Sequence, residues 1–349
     1  MRTAGSLSGL DPAERREPPY WQRTLRELAP HDWLVFTYLL VLNVATWRGT
    51  PGPAQVESQE RVAALLAFLV AVLFLVRGRI LRHSFFAPLT YRLAIYGTVQ
   101  LSYFFMAILL PMVNSRSLDQ ELYQFDMRVF GVEPAIYLDR IVTPLTTEWF
   151  SFFYFAYFFV LALHVIPILM GSRQQRLLGE FALGMLIVFC VGHTLYMVVP
   201  GFGPHEAMAD QFQRPFPHGM WLDMVMKTVA EGGAQKDIFP SLHTAAPTYI
   251  ALFSFRHRDK LPFKYTWPIV ALFAVNIIGA TMFLRWHYVI DVVVGLALSV
   301  TALYATVLVT RRELARRAAL GLEPSWPTFF EQPAPVRESE PAGEIAASA

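Results

Sequence analysis

Eight apolar, almost uncharged runs dominate the sequence, at about 32–48, 61–77, 92–113, 149–170, 178–200, 241–256, 266–284 and 287–310. A helix needs roughly 20 such residues to cross the hydrocarbon core of a bilayer. Only helices and closed barrels satisfy their own backbone there. Runs of this length, repeated along 349 residues, point to an all-α polytopic membrane bundle of about eight spans. The second run is the shortest in apolar content, but it reads AALLAFLVAVLFLV without a charge and counts as a span. Composition agrees, with 54% hydrophobic and 16% charged residues, where a soluble domain carries about 25% charged. Low hydrophobicity with high net charge, the mark of a disordered chain, is absent, since the net charge is +2. That near-neutral balance gives no electrostatic footprint for nucleic acid. Cys190 is the one cysteine, so no disulfide framework exists. The first thirty residues are polar, with Asp11, Glu14, Arg15, Arg16 and Glu17, and no cleavable signal peptide is expected.

Lysine and arginine in the flanks set the orientation of a membrane protein. With the N-terminus inside, 20 fall on the inner segments and 9 on the outer ones. Both termini are therefore expected in the cytoplasm. Two outward segments carry helical spacing. Leu118, Leu122, Phe125 and Val129 recur within 114–148, and Met220, Trp221, Met224 and Val225 within 201–240. Each is expected to form an amphipathic helix at the membrane surface. The stretch after about residue 320, rich in Pro, Glu and Ala, is expected to be disordered.

Polar residues inside spans are costly and mark function by default. Two clusters lie on the outward side. The first is Asp237-Ile-Phe-Pro240-Ser241-Leu242-His243, with Pro247 following. Ser241 is a candidate N-cap of the sixth span, which puts His243 in its first turn. Free backbone N–H groups and the helix dipole make that place suited to an anion. An ordinary capped helix with an interfacial histidine would look the same. The second cluster is Arg285-Trp286-His287-Tyr288-Val-Ile-Asp291. His287 and Asp291 are four apart and share a helical face. The carboxylate can hold one tautomer of the ring and stabilise its charged form. Arg285 suits a phosphate, although a snorkelling arginine beside a structural His–Asp pair is the plainer alternative. Two histidines, an orienting acid, an arginine and a helix start together fit phosphoryl transfer through a histidine nucleophile. A metal site would use both histidines and Asp291, but no further ligand has compact spacing, and no metal or cofactor is expected.

Pro240-Ser241-x-His243 and Arg285-x-His287-Tyr288-x-x-Asp291 resemble the second and third signature motifs of the type 2 phosphatidic acid phosphatase superfamily. The second of these forms is most similar to the inositol phosphorylceramide synthase-like branch. Tyr196-x-x-x-Pro200-x-x-Gly203-Pro204 and the stretch from Leu118-Asp119 through Asp126, Phe130-Gly131 and Pro134 also resemble that branch. The resemblance implies a six-helix catalytic core over 90–310, preceded by a cytoplasmic segment 1–31 and two extra spans in 32–89, and followed by a cytoplasmic tail 311–349. It implies His287 as nucleophile, Asp291 as its orienting acid, and His243 as the acid and then the base. Arg285 and the helix start at Ser241 would hold the phosphate, without a metal. Tyr196, Gly203, Pro204, His205 and Tyr288 become candidate substrate contacts.

The sequence departs from the superfamily in places. Its first motif, Lys-x6-Arg-Pro, is absent: the one Arg-Pro is Arg214-Pro215, and position 207 is Ala. The synthase-like branch lacks that motif too. The arginine that phosphatases carry six residues before the nucleophile would fall on Thr281, and Arg285 is its candidate replacement. Lys236 and Arg214 are candidate phosphate contacts against a plainer reading as solvated loop charges. His164 and His193 are expected to be satisfied by helix–helix hydrogen bonds, and Glu180 to reach the membrane interface. The Phe and Tyr run at 149–159 reads as packing and interfacial anchoring.

The function so implied is transfer of a phosphate-bearing head group from a phospholipid donor to a lipid alcohol acceptor. Hydrolysis by water uses the same histidines and is the alternative; an inactive transporter or scaffold is the third. Orientation has a direct test. An impermeant thiol reagent added to intact cells should label a Gly232→Cys variant, and labelling only after lysis would invert the topology.

Overall fold

The computed structural model describes residues 19–81 and 86–329, and among them the architecture is helical with no β-strand. Proline, which gives up no needed N–H at a helix start, opens α2 (Pro30–Arg48) and α3 (Pro53–Arg77) after a short α1 (Tyr20–Glu27). The third apolar run is α4 (Phe86–Arg92), a π turn over Leu93–Gly97, α5 (Thr98–Phe104) and α6 (Met106–Val113), bent by 62° at Phe105. Two surface helices follow, α7 (Asp119–Phe130) and α8 (Pro134–Leu138). A Thr143–Thr146 capping box then starts α9 (Pro144–Gly171), and α10 (Gln175–Val198) returns. The long loop carries α11 (Pro204–Ala207) and α12 (Met220–Gly232). Three helices complete the bundle: α13 (Leu242–Arg256), α14 (Phe263–Phe283) and α15 (Val289–Leu320). Both segments read as amphipathic surface helices are helical, as α7 and α12.

All eight apolar runs are helical. Helices α3, α9, α10, α14 and α15 are each long and apolar enough to cross a membrane, and the bent pairs α1–α2 and α4–α6 bring the number to seven. The eighth, α13, has 15 residues, a rise of about 22 Å. It sits inside the bundle, packed on α9, α10, α14 and α15, while α2 and α3 pair with each other and lean on α10 and the bent third run.

The alternation gives the molecule two polar ends. One carries α7, α8, α11, α12 and the starts of α13 and α15. The other carries α1 and residues 322–329. There Asp32 pairs with Arg77 at 2.8 Å, both being buried. Glu180 differs from its expected place at the interface. It is 1% exposed, and its carboxylate is met by Arg176, whose own side chain is exposed, at 2.9 Å and by Arg256 and His257 at 3.1 Å. His193 accepts or donates at Tyr38 Oη, 3.1 Å away across a helix pair, whereas the His164 ring bonds the Val160 carbonyl of its own helix at 2.8 Å.

The tail expected from residue 311 also differs. Helix α15 runs on to Leu320, Gly321 turns the chain at φ 62°, and 322–329 fold back against the bundle. Trp326 is fully buried and stacks on His31, with ring centres 4.3 Å apart. Gln175 Nε2 donates to the Trp326 carbonyl at 2.9 Å, and Arg77 and Arg92 each donate to a neighbouring carbonyl at 2.8 Å. The Pro- and Glu-rich composition of the stretch hides this single aromatic anchor. The rest of the tail, 330–349, lies outside the described residues, as do 1–18 of the N-terminal segment. Truncating a buried aromatic costs about 3–5 kcal/mol. Trp326→Ala should therefore markedly lower the thermal midpoint in detergent, while Trp326→Phe keeps most of it.

Candidate active site

The local fold starts from α15. Its first N–H groups would be unpaired, and Asp126 of α7 accepts two of them, Val289 at 2.6 Å and Ile290 at 3.1 Å. Asp291 closes a capping box from inside the helix, accepting the Tyr288 N–H at 2.9 Å. The same oxygen, Oδ2, stands 3.4 Å from His287 Nδ1. His287 and Asp291 do meet, then, but His287 lies in the turn before α15 rather than on it. Asp291 Oδ1 has no partner. The Ser241 side chain accepts the Thr244 N–H at 3.3 Å as N-cap of α13, and its own N–H donates to the Asp291 carbonyl at 3.1 Å. That bond ties the start of α13 to the start of α15. Gly295 lets the two approach, since a Cβ there would come within 2.7 Å of the Ser241 carbonyl oxygen.

His243 and His287 face each other with ring centres 6.5 Å apart. The His243 ring is held between Tyr154, stacked at 4.3 Å, and Tyr157, also at 4.3 Å. Its Nδ1 lies 3.5 Å from Tyr154 Oη, and its Nε2 is buried without a partner. Two tyrosines of the 149–159 run thus position a histidine, while Phe150 and Phe153 pack as expected. The signal was present as a Tyr pair three apart, one face of α9, among phenylalanines.

Asp237 is the residue that motif reading passed over. It accepts from Tyr103 Oη at 2.8 Å and acts electrostatically on His287. Burial pushes its carboxyl up. Burial also pushes the His287 ring down to about 4, and Asp237 and the Ile238 backbone offset part of that. Burial thus favours the neutral form of the His287 ring.

The other candidates fall into place unevenly. Arg285, at φ 66°, donates to Asp139 at 2.7 Å and to the Arg214 carbonyl at 2.6 Å, and its guanidinium lies about 4 Å from the rings of Phe212 and Phe216. Its Nε is buried without a partner. Lys236 is not a solvated loop charge. It is 7% exposed and donates to the carbonyls of Ser115 and Arg116 at 2.9 and 3.1 Å. Arg214 is exposed and donates to the Arg140 carbonyl. Asp119 of α7 collects the N–H groups of Phe202 and Gly203 at 2.9 and 2.8 Å and the Tyr288 hydroxyl at 3.1 Å. Gly203 has φ 90°, and a Cβ there would lie 2.3 Å from the Trp286 carbonyl oxygen, so Gly203-Pro204 is a backbone contact to the loop that carries His287. His205 N–H donates to the Arg285 carbonyl at 2.8 Å, its ring meets Trp286 at 4.3 Å, and burial lowers it to about 4. Tyr196 is buried beside His193. Among the described residues, no group of three His, Cys, Asp or Glu has the geometry to hold a metal ion.

A family model described as the PAP2 superfamily matches residues 120–305, more than half of the chain and a range that contains His243, His287 and Asp291. No curated protein and no solved structure matches the chain.

Asp126→Ala would leave two N–H groups of α15 unpaired beside His287. Loss of such a cap costs about 0.5–2 kcal/mol, and Asp126→Asn should recover most of it. Unfolding in detergent, followed for both variants, checks the order.

Proposed function

The chain belongs to the PAP2 superfamily, and on that premise we propose that it is a membrane lipid phosphotransferase acting through a phosphohistidine, like the inositol phosphorylceramide synthase-like branch. The observation that carries this reading is the facing pair of histidines, 6.5 Å between ring centres, with Asp291 behind one of them and the Nε2 of the other unpaired.

In the first half-reaction Nδ1–H of His287 points to Asp291, leaving the lone pair of Nε2 to attack phosphorus. The bond from phosphorus to the departing lipid oxygen breaks, and His243, which takes up a proton from solvent when the phosphate binds, gives that oxygen its proton. Asp291 stabilises the charge that the ring acquires. In the second half the acceptor hydroxyl gives its proton to His243, its oxygen attacks phosphorus, and the P–N bond breaks. Both histidines return to their starting forms. The N–H groups at the start of α13 are oriented toward an oxyanion. Arg285 joins them only if a phosphate displaces Asp139 or the Arg214 carbonyl from its guanidinium. No cation is needed to balance the charge in this scheme. The absence of the phosphatases' first motif supports transfer over hydrolysis. The charge bias supports an active site on the extracytoplasmic face, with both termini inside.

Purified protein in detergent, given head-group-labelled phosphatidylinositol with and without ceramide, tests the reading. A ceramide-dependent labelled phospholipid, formed equally in EDTA, is the expected product. Free inositol phosphate alone would make the protein a hydrolase. Asp291→Asn should cost on the order of 10⁴-fold. His287→Ala should abolish both half-reactions, whereas His243→Ala should spare phosphohistidine formation from a nitrophenyl phosphate ester, whose leaving group needs no proton. A His287→Ala rate within about tenfold of wild type would overturn the assignment.

A further inference from the structure

At the end of the molecule away from the histidines, α1 lies across the helix ends, bent 100° from α2. If α2 crosses the bilayer, α1 lies in its plane. Its exposed side carries Tyr20, Trp21 and Leu25, the residue types of a membrane–water boundary. The helix is fastened at both ends. Tyr20 Oη donates to the Phe74 carbonyl at 2.6 Å, and the ring lies so close to Gly78 that a Cβ there would meet the hydroxyl. At the other end Arg316 donates to the carbonyls of Arg26 and Leu28, and Arg317 to that of Glu27. Arg79 pairs with the Glu27 carboxylate at 2.5 Å.

Pinned in this way, α1 bridges a cleft of about 260 Å³ instead of closing it. The walls include Leu25 and Leu28 of α1 and its C-terminal turn, Trp33 and Phe36 of α2, and Val70 and Leu73 of α3. Only apolar atoms line the space. Asp32 borders it, but its carboxylate is taken by Arg77 at 2.8 Å, the Ala29 N–H at 2.7 Å and Tyr91. The cleft is open on one side, where Leu25 and Trp33 of its walls are exposed, and an apolar space takes up apolar ligands in preference to water. At about 30 Å³ per water-sized group, the cleft accommodates roughly eight or nine methylenes. With α1 in the interface, as its exposed Tyr20, Trp21 and Leu25 suit, the cleft beneath it falls where the bilayer's acyl chains begin.

We propose that this cleft is a binding site for one acyl chain of a bilayer phospholipid, clamped between α1 and the α2–α3 pair. The site is independent of the histidine centre and of the reaction assigned to it. Native mass spectrometry of the full-length protein after detergent exchange should show one retained phospholipid per chain. Leu25→Trp and Val70→Trp, each placing an indole in the cleft, should cut that occupancy at least tenfold. Leu163→Trp, on the exposed face of α9, should leave it unchanged. A phospholipid with a diazirine at its acyl terminus should label the wild type on peptides 20–36 and 66–77. Wild type without retained lipid, even after incubation with phosphatidylcholine–phosphatidylglycerol vesicles, would overturn the proposal. So would adducts confined to other helices.

Discussion

Two carboxylates of one surface helix hold together the end that carries the two histidines. Asp126 takes the open N–H groups of α15, and Asp119 takes those of Phe202 and Gly203 together with the Tyr288 hydroxyl. Buried carboxylates are costly unless hydrogen-bonded, and backbone N–H groups at a helix start are costly unless capped. Each need answers the other, so α7 can dock in one place only. Once it docks, the loop from 284 to 290 is fixed between Gly203 and the cap of α15. His287 then has little freedom left, and the Ser241–Asp291 backbone bond brings His243 opposite it. Preorganisation of this kind is what a charged transition state requires.

Much of this was legible in the chain. The apolar runs mark every span, because a bilayer imposes length and apolarity on each segment separately. Helices α7 and α12 show as periodic stretches for the same local reason. His243, Ser241, His287 and Asp291 stand out because polar residues beside spans are rare. The spacing of His287 and Asp291 predicts their pairing on a shared helical face, but His287 stands in the turn before α15, and the capping box at Tyr288 brings the two together.

What stayed hidden depends on contacts distant in sequence. Lys236 looks like any loop lysine until Ser115 and Arg116, more than a hundred residues earlier, offer it two carbonyls. Arg285 looks free until Asp139 and two phenylalanine rings surround it. Asp237 sits inside a motif already noticed, yet its significance comes from Tyr103 on the third span. Trp326 lies in a stretch whose composition argues against order, and a single indole with three carbonyl anchors outweighs it.

The shortness of α13 has a consequence for where the reaction takes place. At its far end His257 meets Glu180, five residues into α10, and at its near end Leu242 lies against Gly192. The six residues of α10 beyond Gly192 rise about 9 Å past the start of α13. His243, in the first turn of α13, is consequently recessed below the rim that the longer helices reach. A lipid whose tails remain in the hydrocarbon layer can offer its phosphate at that depth by sideways diffusion alone. Under the proposed reaction, helix length would act as a depth gauge, favouring substrates that stay anchored in the leaflet over soluble phosphate esters arriving from the water.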